Sequence, residues 1–529
     1  MIRISQIKMP VEHTEDQLKM KAAKLLKTDP GLIRSIRILR ESVDARRKEE
    51  IHYTYTVEVE VADEKKVFSK VKSPNIQIAS LPVYRFPDSG LQVLHNRPVV
   101  VGSGPAGLFC GLMLARHGYK PILLERGEDV DTRIRKVEAF WKNGVLDPVS
   151  NVQFGEGGAG TFSDGKLNTL VKDPEGRHRL VMELFAEFGA DPAICYQNKP
   201  HIGTDVLSTV VKRIREEICR LGGEVRFLNQ VTDFDIRENC LKGLLINGQE
   251  YLETEAVVLA VGHSARDTFA MLHQRAVPIE PKAFAVGLRI QHRQELINEA
   301  QYKLKNPGIL GAASYKLTRQ TSLNRGVYSF CMCPGGYVVN ASSEPGCLAV
   351  NGMSYHDRAG INANSALIVT VTPEDFPDST PLAGIAYQRE LERTAHRLAG
   401  GKIPVQLYGD FKAGRASCGF GQIEPQMKGA YEFADLRQAL PGYLGDALVE
   451  GIDYFDTVIR GFGREDAVLA GVESRTSSPL RIIRSRELES GIRGLFPCGE
   501  GAGYAGGITS AAMDGVRVAE ELARRYRAN

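Results

Sequence analysis

The chain has 529 residues, of which 43% are apolar and 25% are charged, and its formal net charge at pH 7 is +3. Such a length predicts about two to four domains, and the weak charge gives no argument for a nucleic-acid or membrane partner. No apolar run reaches the roughly 18 residues that a membrane span needs. The nine cysteines show neither CxxC nor zinc-ligand spacing, so we expect reduced thiols, no metal site and a cytoplasmic protein without a signal sequence.

Residues 1–95 are predicted to form a small N-terminal α+β domain that ends in a linker. Strand, helix, strand and strand follow one another over residues 3–61, which suggests a ferredoxin-like sandwich, and the proline-bearing stretch 74–92 is the expected linker. The basic side chains of this domain are Arg34, Arg37, Arg40, Arg46, Arg47 and Lys48. Two interpretations stay open, a solvated sheet face or a surface that docks RNA or an acidic partner protein.

The most specific motif lies in residues 97–125. A buried strand over residues 98–101, a helix after Gly107 and a strand over residues 122–124 enclose a GxGxxG turn that ends in an acid, Glu125. Gly102 permits the tight turn, Gly104 lets a pyrophosphate approach the backbone, and Gly107 lets the helix lie close to the strand. Glu125 would accept hydrogen bonds from a ribose 2′-OH and repel a 2′-phosphate, which favours FAD or NAD over NADP. The alternative is a structural βαβ unit.

A second glycine cluster occupies residues 155–167. It has no apolar period and too much glycine for a helix or a strand. We interpret it as a loop that presents bare backbone to a ligand, with Gly158 in the loop and with Ser163 and Lys166 as polar contacts. The alternative is a mobile surface loop.

Three further blocks flank residues 275–470, a stretch whose sequence pattern is different. A buried strand over residues 256–261 ends at Gly262, and a later strand ends at Gly499 and Glu500, before a final helix that opens at Gly507. Residues 275–470 between them have frequent glycines and less regular strands. We therefore predict a nucleotide-binding domain built from residues 96–274 and 471–529, with residues 275–470 inserted as a cap or substrate domain.

These blocks together resemble the two-dinucleotide-fold flavoproteins of the glutathione-reductase superfamily. The resemblance implies that Gly102–Gly107 and Glu125 hold the ADP half of FAD and that Val258–Gly262 lies beside the cofactor. Gly499 and Glu500 resemble the Gly-Asp block whose carboxylate binds the ribityl chain, with Glu in place of Asp. The expected FAD contacts are Gly102, Ser103, Gly104, Pro105, Ala106, Gly107, Glu125, Arg126, Gly158, Ser163, Lys166, Val231, Gly262, Gly499, Glu500, Gly507 and Ile508.

A closer similarity is to a bacterial family of FAD-dependent dehydrogenases, the NAD(P)/FAD-dependent oxidoreductases, whose substrate is not settled. The runs Phe154–Asn168, Ser329–Gly336 and Glu473–Pro479 resemble its signatures. This resemblance implies an α/β fold, with a Rossmann-like FAD-binding domain of the GR2 type, an inserted α+β cap domain and the small N-terminal domain.

Four residues are candidates for catalysis. Cys331 and Cys333 either relay electrons from the flavin or are core cysteines of a strand. His356 is either an acid/base group of the cap or a structural histidine, and Arg475 either binds an anionic substrate near the flavin or makes a surface salt bridge. The absence of a second GxGxxG and of a redox CxxC argues against a disulfide reductase.

The prediction is an FAD-dependent oxidoreductase that passes a hydride through flavin N5, with NAD(P)H as a possible transient co-substrate. One alternative is an FAD-dependent RNA-modifying protein that uses the basic N-terminal domain for phosphate contacts. The other is a flavin-loaded redox sensor or scaffold whose N-terminal domain docks a partner.

Overall fold

The computed structural model describes residues 1–79 and 82–528, and its N-terminal region is a separate small α+β sheet. Its elements are β1 (Ile2–Pro10), α1 (Glu15–Leu26), β2 (Ile33–Asp44), β3 (His52–Val61), α2 (Glu64–Ser69) and β4 (Ile76–Ile78). The four strands are antiparallel in the order β2-β3-β1-β4. This is the β-α-β-β-α-β arrangement of the ferredoxin-like fold.

Local sequence explains these elements. Helix α1 begins with a capping box, in which Thr14 accepts from the Gln17 amide and the Gln17 side chain accepts from the Thr14 amide. Strand β4 falls inside the predicted linker 74–92, because Ile76 and Ile78 pair with β1 and complete the sheet. The linker therefore begins after Ile78, and its residues 80–81 lie outside the described part of the chain.

The N-terminal sheet is joined to the rest of the chain through its edge strand β2. The Glu41 amide donates to the Tyr196 carbonyl and the Asn198 amide donates to the Glu41 carbonyl, both at 2.8 Å. Several basic side chains of the domain already have partners. Arg37 binds the buried carboxylate of Glu58, and Arg46 and Arg40 bind Asp44 and Asn198, respectively. A docking surface on this domain stays a prediction.

The next region alternates strands and helices. Its elements are β5 (Gln92–Val93), β6 (Val99–Val101), α3 (Pro105–Arg116), β7 (Ile122–Leu124), α4 (Val130–Asn143), α5 (Arg177–Glu187), α6 (Thr204–Arg220), β8 (Glu224–Arg226), β9 (Val231–Arg237), β10 (Cys240–Ile246), β11 (Glu250–Glu253), β12 (Val257–Leu259) and α7 (Arg266–Gln274). Strands β9, β10 and β11 form an antiparallel sheet of their own.

The remaining elements form a larger sheet and a C-terminal segment that returns to the preceding region. They are β13 (Ile279–Pro281), β14 (Phe284–Arg293), α8 (Gln294–Tyr302), β15 (Thr318–Gln320), β16 (Gly326–Cys333), β17 (Tyr337–Asn340), β18 (Val350–Met353), β19 (Asn362–Val371), α9 (Ala383–Leu398), β20 (Ile403–Leu407), α10 (Tyr408–Ala413), β21 (Met427–Lys428), β22 (Tyr431–Phe433), α11 (Gly442–Val458), β23 (Val468–Glu473), β24 (Leu480–Ile482), β25 (Leu495–Pro497), α12 (Ile508–Arg525) and β26 (Tyr526–Arg527). Among the described helices, none has both the length and the apolar character needed to cross a bilayer.

A parallel sheet carries the dinucleotide motif. Its five strands follow the order β25-β12-β6-β7-β8, and each neighbouring pair is parallel. The residues of β6, β7, β12 and β25 are all buried, as expected of strands covered on both faces. Because β25 comes from the end of the chain, this sheet is assembled from two segments, and the larger sheet lies between them in sequence.

That larger sheet, which we call the cap sheet, is mixed and has seven strands in the order β15-β16-β19-β14-β23-β20-β22. The predicted boundary at residue 470 falls inside β23. This strand pairs with β14 as far as Glu473, opposite Gly287, so the sheet extends beyond the predicted boundary. A short ribbon connects the two regions, because β13 pairs with β24 through Ile279 and Ile482.

Helix α3 packs directly on the parallel sheet, and its glycines make this approach possible. A Cβ on Gly107 would overlap the carbonyl oxygen of Gly102, whereas a Cβ on Gly111 would meet the side chain of Leu123, with Cδ1 nearest at 2.8 Å. A backbone carbonyl in a tight turn cannot move aside, but a leucine methyl group can.

We expect Gly107→Ala to lower the free energy of unfolding by about 1–3 kcal/mol, the usual cost of overpacking. The matched control is Gly111→Ala in the same helix, where the gain of about 1 kcal/mol in helix propensity offsets the shift of Leu123. Urea denaturation of the FAD-free proteins measures both. Equal losses in the two variants would contradict the packing argument.

Candidate functional site

A cavity of about 640 Å³ lies between the carboxyl edge of the parallel sheet and the cap sheet. Its volume is within the range of small-molecule sites. One side is lined by the GxGxxG turn and the second glycine cluster, and the other side by residues of β14, β16 and β19. The two predicted glycine motifs therefore meet across one space.

Most of the predicted FAD contacts line this cavity. They are Gly102, Gly104, Pro105, Ala106, Glu125, Arg126, Gly158, Ser163, Lys166, Val231, Gly262, Glu500, Gly507 and Ile508. Ser103, Gly107 and Gly499 do not line it. Ser103 is fully buried beneath the turn, Gly107 faces the turn itself, and the Gly499 amide donates to Asp514 Oδ2 at 2.8 Å. These three residues shape the backbone of the site from behind.

Two helices open onto the cavity without a side-chain cap. Gly104 is the N-cap of α3 and Gly507 is the N-cap of α12, and in neither helix does a side chain accept from the first amides. The amide N–H groups at a helix start have no intrahelical partner and carry a partial positive charge. A Cβ on Gly104 would have its nearest neighbour, the Gly158 Cα, at 3.8 Å, so the space before α3 is open. Both helix ends suit anionic or carbonyl oxygens of a ligand.

Glu125 holds the turn and the glycine loop together. Its Oε2 accepts from the Ser103 amide at 2.9 Å and from Ser103 Oγ at 2.8 Å. Its Oε1 accepts from the amides of Gly127 and Gly155 at 2.9 and 3.0 Å. All four hydrogen bonds are made inside the chain, so the structure gives Glu125 a framework role, and the predicted ribose contact stays a prediction.

Arg133, which sequence reasoning missed, fixes the glycine loop. Its guanidinium is fully buried and donates to the carbonyl oxygens of residues 151, 152, 155, 156 and 158, at 2.7–3.3 Å. Burial lowers the pKa of Arg133 to about 10, so it is charged at neutral pH. The loop is thus held in place and is not a mobile surface loop. One signal was present: Arg133 stands in the apolar stripe of α4 with Val130, Val137 and Phe140.

Glu500 and His263 form a pair at the cavity wall, with His263 Nδ1 3.5 Å from Glu500 Oε1. Burial raises the pKa of the Glu500 carboxyl to about 7, although the hydrogen bond from the Gly507 amide and the charge of Lys282 act to lower it. Burial, followed by the charges of Arg475 and Arg266, lowers the pKa of His263 to about 3. Near neutral pH the imidazole is therefore uncharged, and the carboxyl gains or loses its proton.

Arg475 is not a surface residue. It is buried and donates Nε and Nη2 to the two carboxylate oxygens of Glu392, at 2.9 and 2.8 Å. Arg266 binds the same carboxylate at 2.8 and 3.0 Å. Burial opposes the ionisation of Glu392, but the two guanidinium groups hold its pKa far below the usual range. The predicted surface salt bridge is corrected to a buried ion pair. Arg475 also lines the cavity and donates Nη1 to Ser343 Oγ, and an anion-binding role for it there stays a prediction.

Cys331 and Cys333 both line the cavity, and their thiols are free. Burial raises the pKa of Cys331 to about 12 and raises that of Cys333. A bulge in the pairing of β16 with β19 places Cys331 at a positive φ of 40°. Beside them, the fully buried Arg289 donates Nε to Glu473 Oε2 at 2.8 Å. The thiols are thus neutral, and whether they relay electrons stays a prediction.

His356 lies outside the cavity. Its Nδ1 contacts the Ile202 carbonyl at 2.8 Å, and its amide donates to Asp205 Oδ1 at 2.9 Å. The ring stacks on His201 at the start of α6. His356 is not among the residues that line the cavity, and an acid/base role for it stays a prediction.

Two family models match separate parts of the chain. A family model described as "FAD-dependent protein, C-terminal domain-like" matches residues 283–476, which span the cap sheet, and a domain of unknown function matches residues 1–60. Among solved structures, L-proline dehydrogenase from P. horikoshii is 11% identical, with a TM-score of 0.39, over 81% of this chain and 93% of that chain. Glycine oxidase from Bacillus cereus is also 11% identical, with a TM-score of 0.30, over 81% and 95%.

One relative is much more similar in sequence. An uncharacterized protein from Clostridium beijerinckii is 49% identical over 530 residues, which cover 99% of both chains. The chain therefore belongs to the family of this Clostridium beijerinckii protein, and its residues 283–476 match the model of an FAD-dependent protein family.

Proposed function

We propose that the chain is an FAD-dependent dehydrogenase or reductase that holds FAD in the 640 Å³ cavity. The observation that carries this proposal is the convergence of two uncapped, glycine-started helices, α3 and α12, on that one space. A dinucleotide has negative phosphates at its centre and carbonyl oxygens on its flavin ring, which are the groups that helix N-termini stabilise.

The residues of the cavity fit the parts of FAD in order. The amides at the start of α3 would bind the phosphates, and Arg126 and Val231 line the end of the cavity expected for the adenosine. Glu500 would bind the ribityl chain, and the start of α12 would face the pyrimidine edge of the flavin ring. FAD, when bound, supplies the hydride acceptor at N5, and the chain orients it and shields it from water.

Nicotinamide use is the finer part of the proposal. The described residues contain one parallel sheet of the dinucleotide-binding kind, so we propose that any NAD(P)H binds transiently in the cleft beside the cap sheet. An anaerobic titration of the yellow protein with NADH and with NADPH tests this. Bleaching of the flavin band by one of them identifies a reductase. Bleaching by dithionite alone identifies the organic substrate as the hydride donor.

We expect Gly104→Val to abolish FAD loading without unfolding the chain. The new side chain enters open space before α3, at an ordinary φ of −71°, and would occupy the position that phosphates must approach. FAD should bind roughly 100-fold more weakly, which corresponds to about 3 kcal/mol. Flavin absorbance per protein and the urea midpoint of the FAD-free protein are the two measurements.

Gly442→Val is the matched control, since Gly442 also has open space around its Cβ position but lies at the start of α11, on the surface. It should load FAD normally. Normal FAD content in Gly104→Val would refute the placement of the phosphates at α3.

The Glu500 carboxyl predicts a specific pH dependence of stability. Its folded pKa of about 7 is above the ordinary value of 4.5, so the folded state binds the proton more tightly. This stabilisation is complete below pH 4.5 and is lost as the pH rises to about 7. The free energy of unfolding of FAD-free Glu500→Gln, relative to that of the wild type, should therefore rise by about 2 kcal/mol from about pH 5 to about pH 8.

Urea denaturation at the two pH values measures the difference. Glu253→Gln, which changes an exposed carboxylate on β11, should show no such gain. A stability difference between Glu500→Gln and the wild type that is the same at both pH values would contradict the assignment.

A further inference from the structure

The cap sheet presents an apolar surface to the cavity, which we call the cap wall: Ala285 on β14, Tyr328 and Phe330 on β16, and Ile368 and Thr370 on β19. These residues share one face of the sheet, since Tyr328 pairs with Ile368 and Ala285 pairs with Thr370 across the strands. Phe330 is 37% exposed, although it belongs to an interior strand of the sheet. An aromatic side chain exposed at a cavity wall suits an apolar, flat ligand.

One end of this wall carries a cation that donates no hydrogen bond. The ammonium nitrogen of Lys166 is buried and donates no hydrogen bond. Its nearest carboxylate oxygen, Asp164 Oδ2, is 3.5 Å away. Asp164 already accepts from Arg358 Nε at 3.0 Å and from Arg358 Nη2 at 2.5 Å. Two cations thus share one carboxylate, and this end of the cavity has an excess of positive charge that favours an anion.

The backbone around Lys166 is firmly placed. The Leu167 amide donates to the Pro200 carbonyl, and the Ile202 amide donates to the Gly165 carbonyl, each at 3.0 Å. Lys166 lines the same cavity as Phe330 and Cys331, which lie at the end of β16. The cation and the apolar wall therefore belong to one continuous surface of the cavity.

We propose that the substrate is a flat, apolar organic acid, whose apolar body lies on the cap wall and whose anionic group binds the Lys166 ammonium. This inference rests on the proposed FAD-dependent function and adds the substrate class to it. Tyr328 and Thr370 supply neutral polar groups, whereas Lys166 supplies the positive charge on this side of the site. A neutral analogue of the same shape would leave the buried ammonium with only the Asp164 carboxylate that it shares with Arg358 and with no hydrogen bond, which is the source of discrimination.

The test uses the FAD-loaded full chain and two probes of equal shape, benzoate and neutral benzamide. Each probe is titrated while the perturbation of the flavin absorption spectrum is followed. Benzoate should bind roughly tenfold to hundredfold more tightly than benzamide, as expected for a charge-assisted hydrogen bond. Lys166→Met, which keeps an unbranched apolar chain, should remove this preference. Lys172→Met, which changes an exposed lysine of the same loop, should retain it.

The outcomes separate this inference from the proposed function. A wild-type protein that binds no FAD refutes the proposed function and, with it, the substrate class. A protein that binds FAD but binds neither probe, or binds both equally, overturns the substrate class alone. Loss of FAD from Lys166→Met, with Lys172→Met still loaded, would assign Lys166 to the cofactor and also overturn it.

Discussion

The buried guanidinium of Arg133 is the interaction on which the cavity depends. A loop with so many glycines has a large conformational entropy and few side chains that could hold it by packing. Arg133 compensates for this by donating to carbonyl oxygens along residues 151–158 from the inside. The carbonyl groups of Gly155 and Gly158 also accept from backbone amides, but those of Asn151, Val152 and Glu156 would lose the Arg133 donor, which would destabilise the loop beside the start of α3.

Glu125 completes the same framework from the other side. Where Arg133 satisfies carbonyl groups of the loop, the Glu125 carboxylate satisfies the amides of Gly127 and Gly155 and the turn at Ser103. One cation and one anion, both buried, thus convert two glycine segments into a single rigid surface. Residues of both segments line the cavity. Preorganisation of this kind reduces the cost of binding a long, flexible ligand.

A second network of charges links the cap sheet to the parallel sheet. Glu392 on α9 accepts from Arg266 on α7 and from Arg475 after β23. Buried ion pairs are expensive to desolvate, and they tolerate no loss of a partner, so this contact specifies one relative placement of the two regions. Its excess positive charge also lowers the pKa of His263, which leaves Glu500 facing a neutral ring. The docking contact and the protonation of the cavity wall are therefore coupled.

Sequence reasoning predicted those elements that depend on short-range patterns of residues. The β6-α3-β7 motif, helix α4 and the capping of α1 follow from short-range patterns, and the structure contains each of them. The Glu392 pairs could not be found in this way, because Arg266 is 126 residues from its partner. Arg475 and His356 were singled out for their residue type, yet their roles depend on neighbours that only the fold supplies. The predicted boundary at residue 470 falls inside β23 for a similar reason, since nothing within β23 marks its pairing with β14.

The two cavity cysteines show how the surroundings decide between chemical roles. A thiol that attacks or relays electrons works as a thiolate, which requires a lowered pKa. Burial raises the pKa of Cys331 to about 12 even though Lys166 and Arg289 oppose the rise, so the thiol remains protonated. The guanidinium of Arg289 is engaged by Glu473 and Asn364, and it also donates to the Cys331 carbonyl at 3.1 Å. Neutral thiols beside Phe330 therefore extend the apolar surface of the cap wall, and the Lys166 ammonium lines the same cavity.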